Sequence, residues 1–96
     1  MKPSENFTKL MIQFEGEVLT GYLDSAGLLT IGIGHLVKKG EPYKLNQPIT
    51  KEESRRLFAE DTKWAIDAVN KLVKREISQN QFDALCSLVF NIGDVS

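Results

Sequence analysis

The sequence predicts one small α+β domain, in which an N-terminal helix precedes a small antiparallel β-sheet and a long and a short helix follow it. Apolar residues recur at helical spacing near both ends of the chain, whereas strand-forming residues surround a turn between residues 17 and 35. A chain of 96 residues is also below the usual size of one domain. We therefore expect a single domain over residues 1–96, with a sheet lobe at about 16–36 and a helical part at about 50–93.

The first helix is predicted from Glu5 to Phe14. Ser4 stands in the N-cap position, and Gly16 follows closely enough to end the helix. Four apolar residues have the i, i+3, i+4, i+7 spacing of an amphipathic helix: Phe7, Leu10, Met11 and Phe14. One face of this helix should therefore be buried.

The sheet is predicted around the turn-forming segment Asp24-Ser25-Ala26-Gly27. Strand-forming residues stand on both sides of this segment: Val18, Tyr22, Leu28, Leu29, Thr30, Ile31 and Ile33. This pattern predicts a hairpin or a three-stranded antiparallel sheet. Residues 37–48 have no periodicity and contain two prolines, so a loop is expected there.

Two capping-box sequences predict where the later helices begin. The first, Thr50–Glu53, opens a helix expected over residues 51–73, and the second, Ser78–Gln81, opens the last helix. Gly93 stands where a C′ glycine would end that helix. The apolar stripe of the long helix predicts its buried face: Leu57, Phe58, Trp64, Ala65, Ala68, Val69 and Leu72.

The last helix is apolar almost all round, which is typical of a helix buried on several sides. Its apolar residues are Leu85, Cys86, Leu88, Val89, Phe90 and Ile92. The short elements before it can hardly enclose it. We therefore expect exposed apolar surface that a second copy, a partner chain or further residues would cover.

Composition excludes several classes of function. Lys and Arg number 12 against 13 Asp and Glu, so the basic excess of a nucleic-acid-binding protein is absent. The single cysteine, Cys86, excludes an internal disulfide and a cysteine zinc site, and no metal or cofactor site is predicted. We expect no membrane span and no export signal, because no apolar run is long enough and the N-terminus lacks an apolar core segment.

Three residues of the predicted sheet region could line one edge of a cleft. Glu15 ends the first helix, Asp24 begins the turn and Thr30 lies early in the returning strand. A carboxylic acid, a carboxylate and a hydroxyl facing one cavity can hydrolyse a glycosidic bond, since one acid protonates the leaving oxygen while the carboxylate activates water. Acids at this spacing are also common by chance, so the spacing alone leaves the assignment open.

The surrounding motifs are more specific, and their order resembles that of the phage-type lysozymes, glycoside hydrolase family twenty-four. The matching motifs are Phe14-Glu15-Gly16, Tyr22-Leu23-Asp24-Ser25-Ala26-Gly27, Thr30-Ile31-Gly32-Ile33-Gly34-His35, Gln81-Phe82-Asp83-Ala84-Leu85 and Leu88-Val89-Phe90-Asn91-Ile92-Gly93. The resemblance covers residues 7–93 and implies a lysozyme-like fold. Because members of the family continue beyond the last motif, it also implies that C-terminal helices are missing here.

The resemblance implies an endolysin, a muramidase that cuts the β-1,4 bond between N-acetylmuramic acid and N-acetylglucosamine in peptidoglycan during bacterial lysis. Glu15 would be the general acid, Asp24 the carboxylate opposite it, and Thr30 the hydroxyl that positions the attacking water. The family resembled usually inverts the anomeric carbon. Inversion requires carboxyl groups roughly 6.5–9.5 Å apart.

Two functions remain open at this stage. An endolysin without an export signal would stay in the host cytoplasm until the membrane is permeabilised, and would then act on the cell wall. The alternative is a truncated lysozyme-like module that binds the cell wall or a protein partner without turnover.

His35, Gly32 and Gly34 have structural interpretations. His35 is the only histidine, and we expect it to pair with Asp61, which lies on the inward stripe of the long helix. Gly32 and Gly34 lack the remaining residues of a phosphate-binding loop, and are expected to allow a tight bend or a close backbone approach.

Overall fold

A computed structural model describes residues 1–94 and confirms the α+β class, with three helices and one small antiparallel sheet. The elements in chain order are α1 (Glu5–Glu15), β1 (Val18–Leu23), β2 (Leu29–Gly32), β3 (His35–Leu36), α2 (Lys51–Leu72) and α3 (Gln79–Asp94). The chain divides into two compact units. Of the described residues, 15–61 form the sheet unit, and 1–14 with 62–94 form the helical unit.

The sheet unit contains the three strands in the order β1-β2-β3, all antiparallel. Tyr22 on β1 lies opposite Thr30 on β2, and Ile31 lies opposite His35 on β3. The predicted loop at residues 37–48 has no helix or strand of its own, but two isolated bridges join it to β1. The apolar core of this unit consists of Ile31, Ile33, Leu57 and Phe58.

The helical unit is built around side chains from all three helices. Its buried apolar residues are Phe7, Met11, Ala65, Val69, Phe82, Cys86 and Phe90. Asp83 is also buried, and it accepts hydrogen bonds from Ser4 N at 2.9 Å, from Ser4 Oγ and from Gln79 Nε2 at 3.0 Å. The residue before α1 is therefore tied to α3.

The second predicted capping box contains both expected hydrogen bonds, and the first contains one of them. Glu53 N donates to Thr50 Oγ1 at 3.1 Å, directly before α2. At the start of α3, Gln81 N donates to Ser78 Oγ at 3.1 Å, while Ser78 N donates to Gln81 Oε1 at 2.9 Å. These bonds satisfy backbone amides that have no partner within the first helical turn.

The predictions for Gly93 and Trp64 are wrong. Gly93 is not a C′ residue, since α3 continues through it to Asp94. A methyl group on Gly93 would overlap the indole of Trp64, so the glycine lets this ring lie against the helix. Trp64 itself is 46% exposed rather than buried, with its ring centroid 5.9 Å from that of Phe90.

Exposed apolar side chains remain on the helical unit, as the composition of α3 predicts. Leu88 is 55% exposed and Ile92 is 63% exposed. Leu72, predicted to be buried, is 74% exposed because it lies at the last turn of α2. None of the helices described in residues 1–94 is both long and apolar enough to cross a lipid bilayer.

Candidate active site

Glu15 is the last residue of α1, and its exposed side chain lies against the turn between β2 and β3. Gly16, with φ of 74°, lets the chain leave the helix directly after it. A methyl group on Gly34 would lie 2.8 Å from Glu15 Oε2 and 3.4 Å from Glu15 Cβ. The close backbone approach predicted for Gly34 is therefore an approach to a candidate catalytic acid.

Asp24 begins the turn between β1 and β2, and its carboxylate organises that turn. Oδ1 accepts hydrogen bonds from Ala26 N and Leu28 N, both at 2.9 Å. The backbone adds a bond from Asp24 N to Leu28 O at 2.9 Å. Within residues 1–94, Asp24 Oδ2 accepts no hydrogen bond, so one carboxylate oxygen is fixed and the other is available to a substrate or water.

Thr30 is buried on β2, with only 3% of its surface exposed. Its Oγ1 donates to Leu28 O at 3.1 Å. Because the hydroxyl proton is used in this bond, the lone pairs of Oγ1 can accept a hydrogen bond from a water molecule.

Asp24 and Thr30 therefore lie near each other, because both side chains form hydrogen bonds with the backbone of Leu28. Glu15 lies at the opposite end of β2, beside Gly34. The four residues of β2 span about 10 Å at the usual rise of a strand. All three candidate residues belong to the sheet unit, with the two acids at different ends of its central strand.

His35 follows Gly34 and is buried between two carboxylates of the same unit. Its Nδ1 lies 2.7 Å from Asp61 Oδ2, the partner predicted for it. Its Nε2 lies 3.0 Å from Glu41 Oε1, in the loop after β3. The three side chains link β3, the loop and α2.

The two carboxylates change how His35 titrates. Burial alone would lower the pKa of His35, but the hydrogen bonds to Asp61 and Glu41 outweigh it and raise that pKa above its ordinary 6.5. For Glu41, burial acts to raise the pKa, while the Lys38 backbone amide and His35 lower it below its ordinary 4.5. The imidazolium and the Glu41 carboxylate thus stabilise each other's charged form.

Glu17 fixes the segment directly after Glu15. Its Oε2 accepts from Ser54 Oγ at 2.8 Å and from Arg55 Nε at 3.0 Å, both on α2. The hydrogen bond from Arg55 holds the pKa of Glu17 below its ordinary value, in spite of partial burial. The chain directly after Glu15 is therefore bound to α2.

Sequence reasoning missed the roles of Glu41 and Glu17. Glu41 stands in a loop without periodicity. The neighbouring Gly40, whose φ is 94°, indicates a turn there but not that Glu41 binds His35. Glu17 bonds with residues 37 and 38 positions away, a separation at which no short-range pattern operates.

No metal site accompanies these residues. Within residues 1–94, no group of three or more His, Cys, Asp or Glu side chains is placed to hold a metal ion. Cys86 is buried in the helical unit, and burial raises its pKa to about 11, so it is a thiol near neutral pH.

Comparison with known proteins gives consistent matches. The phage lysozyme family model matches residues 12–96. The endolysin of Salmonella phage P22 is 46% identical over 94 residues, which are 97% of this chain and 64% of that endolysin. The endolysin of Acyrthosiphon pisum secondary endosymbiont phage 1 is 37% identical and is matched over 61% of its length.

Solved structures agree with these matches. A crystal structure of a P22 lysozyme mutant has a TM-score of 0.84 and 42% identity, covering 100% of this chain and 66% of that chain. The endolysin of Escherichia coli O157:H7 phage FAHEc1 has a TM-score of 0.83 and 39% identity, covering 96% of this chain and 58% of that one. The chain thus spans 58–66% of the length of these four proteins, and with its family-model match it belongs to the phage lysozyme family.

Proposed function

We propose that this chain is a muramidase of the endolysin kind, which cuts the β-1,4 bond between N-acetylmuramic acid and N-acetylglucosamine in peptidoglycan and so contributes to bacterial lysis. One observation supports this most directly. Glu15 and Asp24 lie at the two ends of β2, and Thr30 on that strand shares its hydrogen-bond partner, Leu28, with Asp24. Membership of the phage lysozyme family adds to this support.

In the proposed reaction, Glu15 gives its proton to the glycosidic oxygen as the bond to the anomeric carbon breaks. A water attacks that carbon and loses a proton to Oδ2 of Asp24, the oxygen that the turn leaves available. Thr30 Oγ1 accepts a hydrogen bond from the same water and orients it. The protons balance, because after product release Asp24 gives its proton to solvent and Glu15 takes one up.

We propose that the reaction inverts the anomeric carbon. Inverting enzymes separate their two carboxyl groups so that a water fits beside the sugar. The placement of the acids at different ends of β2 favours that arrangement over the closer one of retaining enzymes. The α-anomer would then be the first product detected by NMR, and a β-anomer would contradict inversion.

Clearing of purified cell walls by the pure protein tests the activity. We expect Glu15→Gln to lower the rate at least about 100-fold, because it removes the proton donor at nearly constant shape. Glu5→Gln, in the first turn of the same helix, is the matched control and should keep full activity. Thr30→Ser should retain more activity than Thr30→Val, since only serine keeps the hydroxyl.

The same assay evaluates the alternative, a module that binds the wall without turnover. Clearing by the wild-type protein that is lost in Glu15→Gln supports the enzyme. Co-sedimentation with cell walls without any clearing supports the binding module and contradicts the enzyme.

We also propose that the protein remains in the host cytoplasm until the membrane is permeabilised, and then reaches the wall. Similarity to phage endolysins supports this. Fractionation of expressing cells should find it in the cytoplasmic fraction, with lysis following only after a permeabilising agent is added. Lysis without such an agent would contradict the proposal.

A further part of the proposal is that the sheet and helical units belong to a single lysozyme-like domain. Thermal unfolding should then be one cooperative transition by both near- and far-ultraviolet circular dichroism. Two separate transitions would contradict it.

Finally, we propose that the exposed apolar surface of the helical unit is covered by a second copy or by another chain. Leu88 and Ile92 contribute to this surface, and an open groove of about 580 Å³ lies between the end of α2 and α3. The groove is lined by Leu72, Val73, Lys74, Arg75, Ile77, Gln81, Ala84 and Leu85. Light scattering at increasing concentration should show dimers that Ile92→Lys abolishes, whereas a monomer at every concentration would exclude the second copy.

A further inference from the structure

Gly34 contacts the proposed general acid through its backbone, and this contact carries an inference beyond the roles of Glu15, Asp24 and Thr30. We propose that Gly34 is a positioning residue, whose Cα without a side chain makes the space that the Glu15 carboxyl group occupies and fixes its direction. The proposal rests on the proposed function for its effect on catalysis. The contact itself can be tested without any activity.

The Glu15 side chain lies against the Gly34 backbone from its Cβ to its carboxyl group. A methyl group on Gly34 would lie 2.8 Å from Oε2, 3.3 Å from Cδ and 3.4 Å from Cβ of Glu15. The first distance is shorter than any ordinary contact of a methyl carbon, so the carboxyl group would have to move. An alanine at this position would therefore displace the carboxyl end of the Glu15 side chain from its present place.

The turn that carries Gly34 is itself held in place. Gly34 has φ of 66°, which other residues rarely adopt, and it directly precedes His35. His35 is fixed to Asp61 at 2.7 Å and to Glu41 at 3.0 Å. The surface beneath Glu15 is therefore anchored on one side by a partly buried ionic network.

The backbone after Glu15 is held independently. Glu17 accepts hydrogen bonds from Ser54 and Arg55 on α2. A methyl group on Gly32 would lie 3.0 Å from the same Ser54 Oγ, so the other end of the turn also lies close to α2. Glu15 is thus placed between two segments of fixed backbone.

This placement matters because a general acid must point at the oxygen that it protonates. A displacement of about 1 Å can cost about 100-fold in rate. We expect Gly34→Ala to lower kcat by about 100-fold on soluble peptidoglycan strands and to leave KM within about twofold. The limb of the pH–rate profile that reports Glu15, identified by its loss in Glu15→Gln, should also shift in Gly34→Ala. A loss of folded protein alone would lower the rate without shifting that limb.

A stability cycle tests the contact separately from the chemistry. Gly34→Ala should lower Tm less in the Glu15→Ala background than in the wild-type background, because the displaced carboxylate is then absent. The backbone strain at φ of 66° is the same in both backgrounds and cancels. Gly27→Ala is the matched control, since Gly27 has φ of 79° and no neighbour within 4 Å, and its Tm loss should be equal in both backgrounds.

The wild-type protein offers a measurement that needs no variant to fold. Three-bond NMR couplings should show one fixed χ1 rotamer for Glu15. Equal Tm losses for Gly34→Ala in the two backgrounds, or averaged rotamers of Glu15, would overturn the inference. A wild-type protein without hydrolase activity but with unequal Tm losses would contradict the proposed function and leave the contact supported.

Discussion

The two compact units of this chain differ in the interactions that stabilise each of them internally. Apolar side chains of three helices fill the helical unit, and Asp83, its buried carboxylate, is bound by Ser4 and Gln79. The sheet unit has a smaller apolar core and depends on two ionic networks, one around His35 and one around Glu17. All three candidate catalytic residues lie in the sheet unit.

This difference shows how a small unit can hold side chains in fixed directions. Apolar packing stabilises without specifying direction, whereas hydrogen bonds and ion pairs fix the angle and distance between groups. The consequence is that the contribution of the sheet unit's ionic networks to stability should depend on pH, whereas that of the apolar core of the helical unit should not.

The largest expected loss comes from the apolar core of the helical unit. Phe82 is 1% exposed, and Phe82→Ala should lower the free energy of unfolding by about 3–5 kcal/mol, because it removes buried surface and leaves a cavity. Urea denaturation at pH 5.5 and pH 8 should give the same loss. A loss that changes with pH would break the contrast between the units.

A smaller, pH-dependent loss is expected in the sheet unit. Asp61→Asn removes the charge that binds His35 and should cost about 1–3 kcal/mol. NMR titration of His35, the only histidine, should show its pKa falling in the variant. An unchanged His35 pKa together with unchanged stability would refute the pairing.

The direction of the pH dependence follows from the two pKa shifts. The pKa of His35 is raised in the folded protein, so its contribution is complete below about its ordinary 6.5 and is lost as pH rises through the folded value. The pKa of Glu41 is lowered, so its contribution is present above its ordinary 4.5 and is lost as pH falls through the folded value. The network should therefore stabilise most between pH 4.5 and 6.5.

The smallest expected effect in this series concerns Glu17. Glu17→Gln should cost about 1 kcal/mol, because a neutral amide keeps part of the hydrogen bonding to Ser54 and Arg55. Since the pKa of Glu17 is lowered, the loss should be seen above its ordinary 4.5 and should disappear in more acidic solution. Lys63→Ala, in the exposed pair with Asp67, is the control and should cost less than about 0.5 kcal/mol.

Most of the fold could be predicted, because its elements carry short-range signals. Capping boxes, apolar spacing and the Asp24–Gly27 turn located the helices and the first hairpin within one or two residues. The resemblance pointed to Glu15, Asp24 and Thr30, and the inward stripe pointed to Asp61 as the partner of His35. The helices and the turn are visible from neighbouring residues, whereas Asp61, 26 positions from His35, is indicated by its place on the apolar stripe of the long helix.

The remaining features depend on contacts that no short-range pattern in the sequence reveals. Gly93 is required by the structure, but for a different reason than the predicted helix end. The helix continues through it, and the absence of a side chain leaves room for the Trp64 ring. Glu41 and Glu17 act through partners in other elements, and Gly34 acts through the side chain of Glu15. Such roles follow only from three-dimensional placement.

The most direct test of the proposed function is mass spectrometry of the fragments released from purified peptidoglycan by the wild-type protein, Glu15→Gln and Glu5→Gln. We predict fragments with reducing N-acetylmuramic acid ends from the wild-type protein and from Glu5→Gln, and almost none from Glu15→Gln. Equal release by folded Glu15→Gln, or fragments with any other end group, would contradict the assignment of Glu15 as the general acid of a muramidase.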